Sequence, residues 1–271
     1  MRNLNTISNW YGRLGNNIQQ ICNGILFSQS DKNGFFSPDH ELINPIFFNC
    51  TQDDLNYLIN SCRFYQYTYY ENNYYYENKD FEIDIEFLYQ NIRKIALEYI
   101  TPNFKFKVKR SFGNTTLVIH LRSGDIFSQE HYPAHDYIPN PLSYYLNLIE
   151  KYEKVIVVTE PDNNNPILNE LKKIKKVKIQ SKSIEEDFAT LLRAKNLASS
   201  GTGTFSLAAA LCSKNIKNFY CSDNYLHSHL NPEMLMGTDI SVHITRLNNY
   251  IPPRSWLNNK EQREFLINYN L

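Results

Sequence analysis

Three short segments of the chain combine glycine, hydroxyl and charged residues in spacings that suit anion binding. They are YGRLGNN (11–17), HLRSGD (120–125) and SSGTGTFS (199–206). Glycines allow tight turns, and a helix that starts at such a turn presents free backbone N–H groups to an anion. An arginine adds a permanent positive charge. Together the segments predict a local phosphate-binding site.

The middle segment ends a predicted buried strand, TTLVIHLR (115–122). Alternation along a strand puts His120 and Arg122 on one face and Leu121 on the other. Ligands of open α/β sheets bind beyond the carboxyl ends of the strands, so both donors are expected to converge there. Two plainer interpretations stay open: His120 as a satisfied core histidine, and Arg122 with Asp125 as a structural ion pair.

The other two segments each predict a helix start. Gly12 and Gly15 allow a tight turn, and the helix that begins near Asn16 presents its N–H groups beside Arg13. Taken alone, this turn is also compatible with an ordinary helix cap. The third segment opens a small-residue helix, lacks the lysine of a P-loop, and lies late in the chain without a suitably spaced acidic residue, which argues against a nicotinamide cofactor.

The elements that must position these residues alternate regularly in the second half of the chain. Short apolar runs and helical segments follow one another from residue 111 to about 223, which predicts a parallel sheet with crossover helices. We therefore expect an α/β protein with two domains, a smaller one over 1–110 and a Rossmann-like one over 111–271, joined through 101–114. The predicted strands are 34–38, 115–122, 154–160, 176–180, 196–201 and 215–223. The predicted helices are 17–29, 85–100, 141–152, 166–174, 185–195 and 204–214, and the tail to 271 is unassigned.

Composition excludes several classes of protein. The chain has 271 residues, with 28 Lys+Arg balancing 28 Asp+Glu. Zero net charge removes the basic field that nonspecific nucleic-acid binding needs. No signal peptide or 18-residue apolar run is visible, so we expect no transmembrane segment and a cytoplasmic location. The DIE triplet (84–86) fits a helix start better than a metal site, because acids favour the first turn.

In this order the three segments resemble the fucosyltransferase superfamily. GRLGN resembles the glycine-rich turn of alpha-1,2-fucosyltransferases and protein O-fucosyltransferases, and HLRSGD resembles the His-x-Arg-x-Gly-Asp peptide of the alpha-1,2 group. The resemblance implies a GT-B-like fold of two Rossmann-like domains facing a central cleft, with 1–110 on the acceptor side and 111–271 binding the nucleotide sugar. It also implies inverting, metal-independent transfer of fucose from GDP-fucose to a hydroxyl of a glycan acceptor, with no cofactor besides the donor substrate.

The resemblance also implies a role for individual residues. Arg122 would hold the β-phosphate of GDP, and His120 with Asp187 would recognise the guanine. The remaining donor-binding residues would be Gly12, Arg13, Gly15 and Asn16 around the diphosphate and donor sugar, Asp125 in the middle motif, and Thr204 and Ser206 as phosphate-side hydroxyls.

An acceptor hydroxyl must lose a proton as it attacks, so a carboxylate or histidine near the cleft should act as base. Segment 128–136 offers four candidates. Glu130 ranks first, because its distance in sequence from His120 resembles that of the carboxylate proposed as base in alpha-1,6-fucosyltransferases. Asp136, His131 and His135 stay open.

Two departures from the family pattern leave the donor sugar open. Ser123 stands where alpha-1,2 enzymes commonly have a second arginine, and Glu160-Pro161 replaces an acidic pair. The alternatives are a transferase that uses another nucleotide sugar, a noncatalytic glycan- or nucleotide-binding module, and an interaction protein that uses the tyrosine-rich tract 65–78.

Overall fold

The computed structural model describes residues 4–7, 9–30, 32–54, 85–128, 135–227 and 229–271. Three sequence predictions lie outside these ranges: the tyrosine-rich tract 65–78 and the base candidates Glu130 and His131. The DIE triplet lies partly inside them, and Glu86 occupies the first turn of a helix, as predicted.

The second half of the chain forms a six-stranded parallel sheet with helices on both faces. The predicted α/β class is therefore confirmed, as is each strand and helix predicted between 111 and 223. The elements are β4 (Thr116–Leu121), α3 (Leu142–Ile149), β5 (Lys154–Thr159), α4 (Pro166–Leu171), β6 (Val177–Gln180), α5 (Ile184–Leu192), β7 (Asn196–Ala198), α6 (Phe205–Cys212), β8 (Asn218–Ser222) and β9 (Ser241–Thr245).

The spatial order of this sheet is β6-β5-β4-β7-β8-β9. Numbered along the chain, that is 3-2-1-4-5-6, the strand order of the Rossmann fold. All six residues of the central strand β4 are buried, as its continuous apolar run predicts. Two of the flanking helices have side-chain N-caps. Asn165 and Ser183 accept hydrogen bonds from backbone N–H groups at the starts of α4 and α5.

The first half forms a smaller α/β layer. It contains β1 (Leu4–Thr6), α1 (Leu14–Ser30), β2 (Gly34–Ser37), β3 (Ile46–Phe48) and α2 (Ile85–Ile95), and α2 continues through π and 3-10 turns to Asn103. In the described ranges this sheet has three strands, with β1 parallel and β3 antiparallel to β2.

The two halves share a hydrophobic cluster. It runs from α1 and β2 through α2 into α5 and α6, so α1 is buried along nearly its whole length. The division near residue 110 stays a prediction. Within the described ranges, no helix combines the length and the apolar character needed to cross a membrane.

The tail, which the sequence left unassigned, returns to the parallel sheet. It forms β9, and after it α7 (Lys260–Asn268) packs near α3 and α4. Trp256 is fully buried, and its indole N–H donates to Ile126 O at 2.8 Å. Arg263 donates to Phe127 O at 2.7 Å. The tail therefore supports the 3-10 turn Gly124–Phe127 that follows β4.

Candidate active site

The candidate site lies where the strand order reverses. In the order 3-2-1-4-5-6 this switch point falls between β4 and β7, and the loops after these strands border a crevice. The loop after β4 carries Arg122, and the loop after β7 carries Gly203. A Cβ atom added to Gly203 would lie 3.7 Å from Arg122 Nη1. The guanidinium therefore lies directly beside the backbone of the glycine-containing loop.

Arg122 is held on two sides. Its side chain is 14% exposed, and Nη2 donates to Asp125 Oδ1 and Oδ2 at 3.1 and 3.2 Å. Its guanidinium carbon stacks 4.1 Å from the centre of the Tyr137 ring. The structural ion pair that the sequence left open is therefore present. Yet Arg122 Nε is buried without a hydrogen-bond partner among the described residues, and such an orphaned donor calls for a functional explanation.

The two predicted helix starts touch each other. Thr204, the residue before α6, donates its hydroxyl to Asn16 Oδ1 at 2.7 Å. A Cβ atom on Gly15 would lie 2.5 Å from Thr204 Oγ1 and 2.8 Å from its backbone carbon, so only glycine fits there. Gly12 has φ +70°, and the Asn16 side chain folds over it. The structure thus brings all three predicted segments together.

Arg13 reaches across from the first half to two carboxylates of the second. Its guanidinium lies 2.6 Å from Glu160 Oε1 and 3.4 Å from Asp125 Oδ1, and its side chain is 57% exposed. Partial burial acts to raise the pKa of Asp125, but the charges of Arg122 and Arg13 outweigh it and lower that pKa. Two arginines therefore share one ionised carboxylate at the mouth of the crevice.

His120 lies behind these arginines as a neutral ring. Burial, with added repulsion from Arg122 and Arg13, lowers the pKa of His120 to about 3. Its Nδ1 lies 3.3 Å from Ser200 Oγ, and its ring centre lies 5.1 Å from that of Phe205. A neutral imidazole can donate from one nitrogen and accept at the other, which suits recognition of a polar, uncharged group.

Other predicted residues lie nearby or apart. Ser206 is buried in the first turn of α6. Both oxygens of Asp187 are occupied within its own strand-to-helix turn, by Gln180 Nε2 at 2.8 Å and by the backbone N–H of Lys182 at 3.0 Å. A guanine contact by Asp187 stays a prediction.

The described base candidates lie at the edge of the site. Asp136 is 48% exposed and lies 3.4 Å from Arg254 Nε. The ring Nδ1 of His135 lies 3.0 Å from Trp256 O, so His135 contacts the tail.

Sequence reasoning missed two aromatic neighbours of Arg122. Tyr137 stacks on it, and the ring of His229 meets Tyr137 edge-on with 6.3 Å between centres. Burial, together with the positive charge of Arg122, lowers the pKa of His229 to about 4, although the negative charge of Asp136 acts to raise it. Both residues lie outside the motifs, and only the folding of two distant loops brings them here, so their spacing carried no signal.

No group of three or more His, Cys, Asp or Glu side chains is arranged to hold a metal ion in the part of the chain that the structure describes. The site presents two guanidinium groups, two helix starts and the hydroxyls of the loop after β7.

Comparison with known proteins gives structural similarities alone. No protein-family model and no curated protein match the chain. It is similar to the crystal structure of POFUT1 in complex with GDP-fucose, with 12% identity, 80% of this chain and 97% of that chain covered, and a TM-score of 0.41. It is also similar to E. coli heptosyltransferase WaaC with ADP, with 11% identity, 94% and 95% coverage, and a TM-score of 0.46.

Proposed function

We propose that this protein is an inverting, metal-independent glycosyltransferase that moves fucose from GDP-fucose to a hydroxyl of a glycan acceptor. One observation carries the proposal: Arg122, Arg13 and two touching helix starts meet at the switch point of a Rossmann-ordered sheet. The order of the motifs supports the fucose donor in particular. A ligand with two phosphates suits two guanidinium groups at such a place.

The chemistry requires these groups. As the bond between the anomeric carbon and the β-phosphate oxygen breaks, negative charge develops on the leaving nucleoside diphosphate. Arg122 and the N–H groups at the start of α6 stabilise that charge from one side, and Arg13 with the start of α1 does so from the other. Asp125 and Glu160 hold the arginines in place before the donor arrives, and the diphosphate then competes with these carboxylates for them.

The acceptor oxygen attacks the anomeric carbon from the face opposite the leaving group and loses its proton to a base. Glu130 remains the first candidate by its separation from His120. Of the two carboxylate candidates, Asp136 is the one whose position is described, and its charge and that of Arg122 both act on the ring of His229. His120, which is neutral, contacts the base of the nucleotide in this scheme.

The test is donor hydrolysis and transfer across a panel of GDP-, UDP- and ADP-sugars, with released nucleoside diphosphate as the readout. GDP-fucose should give the highest rate, a glycan acceptor should increase it, and EDTA should leave it unchanged. The anomeric configuration of fucose in the product should be opposite to that in GDP-fucose. A higher rate with another donor would reject fucose. Tight GDP binding without turnover would identify a noncatalytic module, and the absence of any nucleotide binding would reject the proposal altogether.

A further inference from the structure

The loop after β5, residues 160–165, grips the backbone around Arg122. We call residues 122–124 the arginine turn and residues 160–165 the bracing loop. Ser123, in the middle of the turn, and Asn165, at the end of the loop, are both completely buried. The turn follows the central strand, whereas the loop follows its neighbour, so their contacts join two adjacent strand ends.

The Ser123 hydroxyl uses its hydrogen-bonding capacity within this contact. It donates to Asp162 Oδ1 and accepts from the backbone N–H of Asn165 at 3.0 Å. A serine therefore occupies the position at which the family resemblance suggested an arginine. Its side chain makes hydrogen bonds to the bracing loop and does not point into the crevice.

The backbone of the arginine turn is satisfied by side chains of the same loop. Asn165 Nδ2 donates to Arg122 O at 2.8 Å, Ser123 N donates to Glu160 Oε2 at 2.5 Å, and Gly124 N donates to Asp162 Oδ2 at 2.9 Å. Gly124 has φ +59°, and a Cβ atom there would lie 3.2 Å from Glu160 Oε1. The two peptide groups that follow the Arg122 Cα atom are therefore each fixed by specific side-chain partners.

The bracing loop is itself anchored. Asn165 Oδ1 accepts the backbone N–H of Ile167 at 3.0 Å and so caps α4. Burial opposes ionisation of Asp162, but hydrogen bonds from Ser123, Asn164 and Gly124 outweigh it and lower the pKa of this carboxyl. Charge-assisted bonds of this kind are stronger than neutral ones and hold geometry well.

We infer that Ser123, Asp162 and Asn165 are positioning residues that set the direction of the Arg122 guanidinium. The inference rests on the proposed function, because the direction of the guanidinium affects catalysis only if Arg122 binds the leaving diphosphate. Their action goes through the backbone: the hydrogen bonds fix the two peptide groups that follow the Arg122 Cα atom, and so restrict the backbone conformation from which the Arg122 side chain extends. None of the three touches substrate in this scheme.

The first test is steady-state donor hydrolysis by Ser123→Ala and Asp162→Asn. Loss of a supporting hydrogen bond typically costs ~10- to 100-fold, and we expect a fall of that size in kcat with little change in the KM for the donor. Ser143→Ala is the matched control, because the Ser143 hydroxyl is buried without a hydrogen-bond partner among the described residues. Its kcat should equal that of the unmodified protein. A lower Tm with unchanged kcat in Ser123→Ala would overturn the inference.

The second test separates this inference from the proposed function. The Nε–H resonance of Arg122, assigned by its loss in Arg122→Lys, should shift in Ser123→Ala and stay in place in Ser143→Ala. An unmoved resonance in Ser123→Ala would overturn the inference even if kcat fell. If the unmodified protein hydrolyses no donor, the proposed function fails. The shift of the Arg122 Nε–H resonance in Ser123→Ala then decides by itself whether these residues position Arg122. If Asp162→Asn does not fold, Ser123→Ala decides both readouts.

Discussion

The arginine turn and the glycine turn (residues 12–16) lie on opposite sides of one crevice and are held in different ways. The bracing loop fixes the backbone of the arginine turn and the Ser123 hydroxyl through buried and partly buried hydrogen bonds. The Arg13 side chain, more than half exposed, reaches two carboxylates across the crevice. Exposed ion pairs contribute about 0–1 kcal/mol, whereas buried networks are costly to disturb. One arginine is therefore preorganised, and the other is free to adjust to a ligand.

The largest effect should come from the fixed side. Under the proposed function, Arg122→Ala removes a preorganised donor to the leaving diphosphate, and we expect kcat to fall by ~10²- to 10³-fold. Donor hydrolysis measures the loss, and circular dichroism with Tm checks that the fold persists. A fall of less than about fivefold, well below the range for such a donor, would show that the diphosphate binds elsewhere.

The contact between the two sides should be the next most sensitive. Gly15→Ala places a methyl group against Thr204 and the start of α6, and overpacking of this kind costs about 1–3 kcal/mol. We expect a lower Tm and an additional loss of kcat, because α1 must move away from α6. Gly24→Ala, on the same helix, meets the Phe35 ring far from the crevice and should lower Tm alone. Equal kcat losses in both variants would contradict a special role for the Gly15 contact.

The neutral histidines behind the fixed side predict a pH dependence of stability. In the unfolded chain a histidine takes up a proton near pH 6.5, whereas folded His120 and His229 stay neutral down to about pH 3 and about pH 4. The unfolded state therefore binds more protons as pH falls below 6.5, and the free energy of unfolding decreases, by at most about 1.4 kcal/mol per pH unit for each group. Urea denaturation between pH 7 and 4.5 measures this slope. It should be shallower in His120→Gln, and an unchanged slope would show that folded His120 takes up protons normally.

The smallest effect on stability should come from the adjustable side. Arg13→Ala removes two exposed ion pairs, so we expect the free energy of unfolding to change by less than about 1 kcal/mol. The KM for the donor should rise, and kcat should fall less than in Arg122→Ala. Urea denaturation and donor kinetics, each measured at low and high salt, check this. A kcat loss as large as that of Arg122→Ala would mean that both arginines are equally preorganised.

The sequence predicted the parallel sheet well because its strands are buried apolar runs bounded by polar loops. β4 and β5 follow this pattern clearly, and parallel strands need crossover helices of matching length. Three strands were missed, and so was the tail helix α7. β1 and β3 are only three residues long, too short to show a strand periodicity even though β3 is apolar throughout. β9 is an edge strand whose residues are largely exposed, so its apolar signal is weak.

The site was predictable only where chemistry and local sequence coincide. The glycine and hydroxyl residues of a turn are typical of a helix start or a strand end, and such turns contain Arg122, Gly15 and Thr204. The stacking of Tyr137 on Arg122 depends on loop packing, and so does the hydrogen bond from Asn165 to the Arg122 carbonyl. Such contacts form between segments that are separate in sequence, and no periodicity records them.

The position of the tail has a consequence for how the protein is made. Trp256 and Arg263 contact Ile126 and Phe127 over sequence separations of 130 and 136 residues. During synthesis on a ribosome, the support beneath the turn after β4 cannot form until Trp256 and Arg263 have emerged. Closing contacts over such separations is slow compared with local helix formation. Maturation of the crevice is thus a late event in biogenesis. In a nascent chain stalled before residue 256, the turn after the central strand β4 would lack the contacts from Trp256 and Arg263.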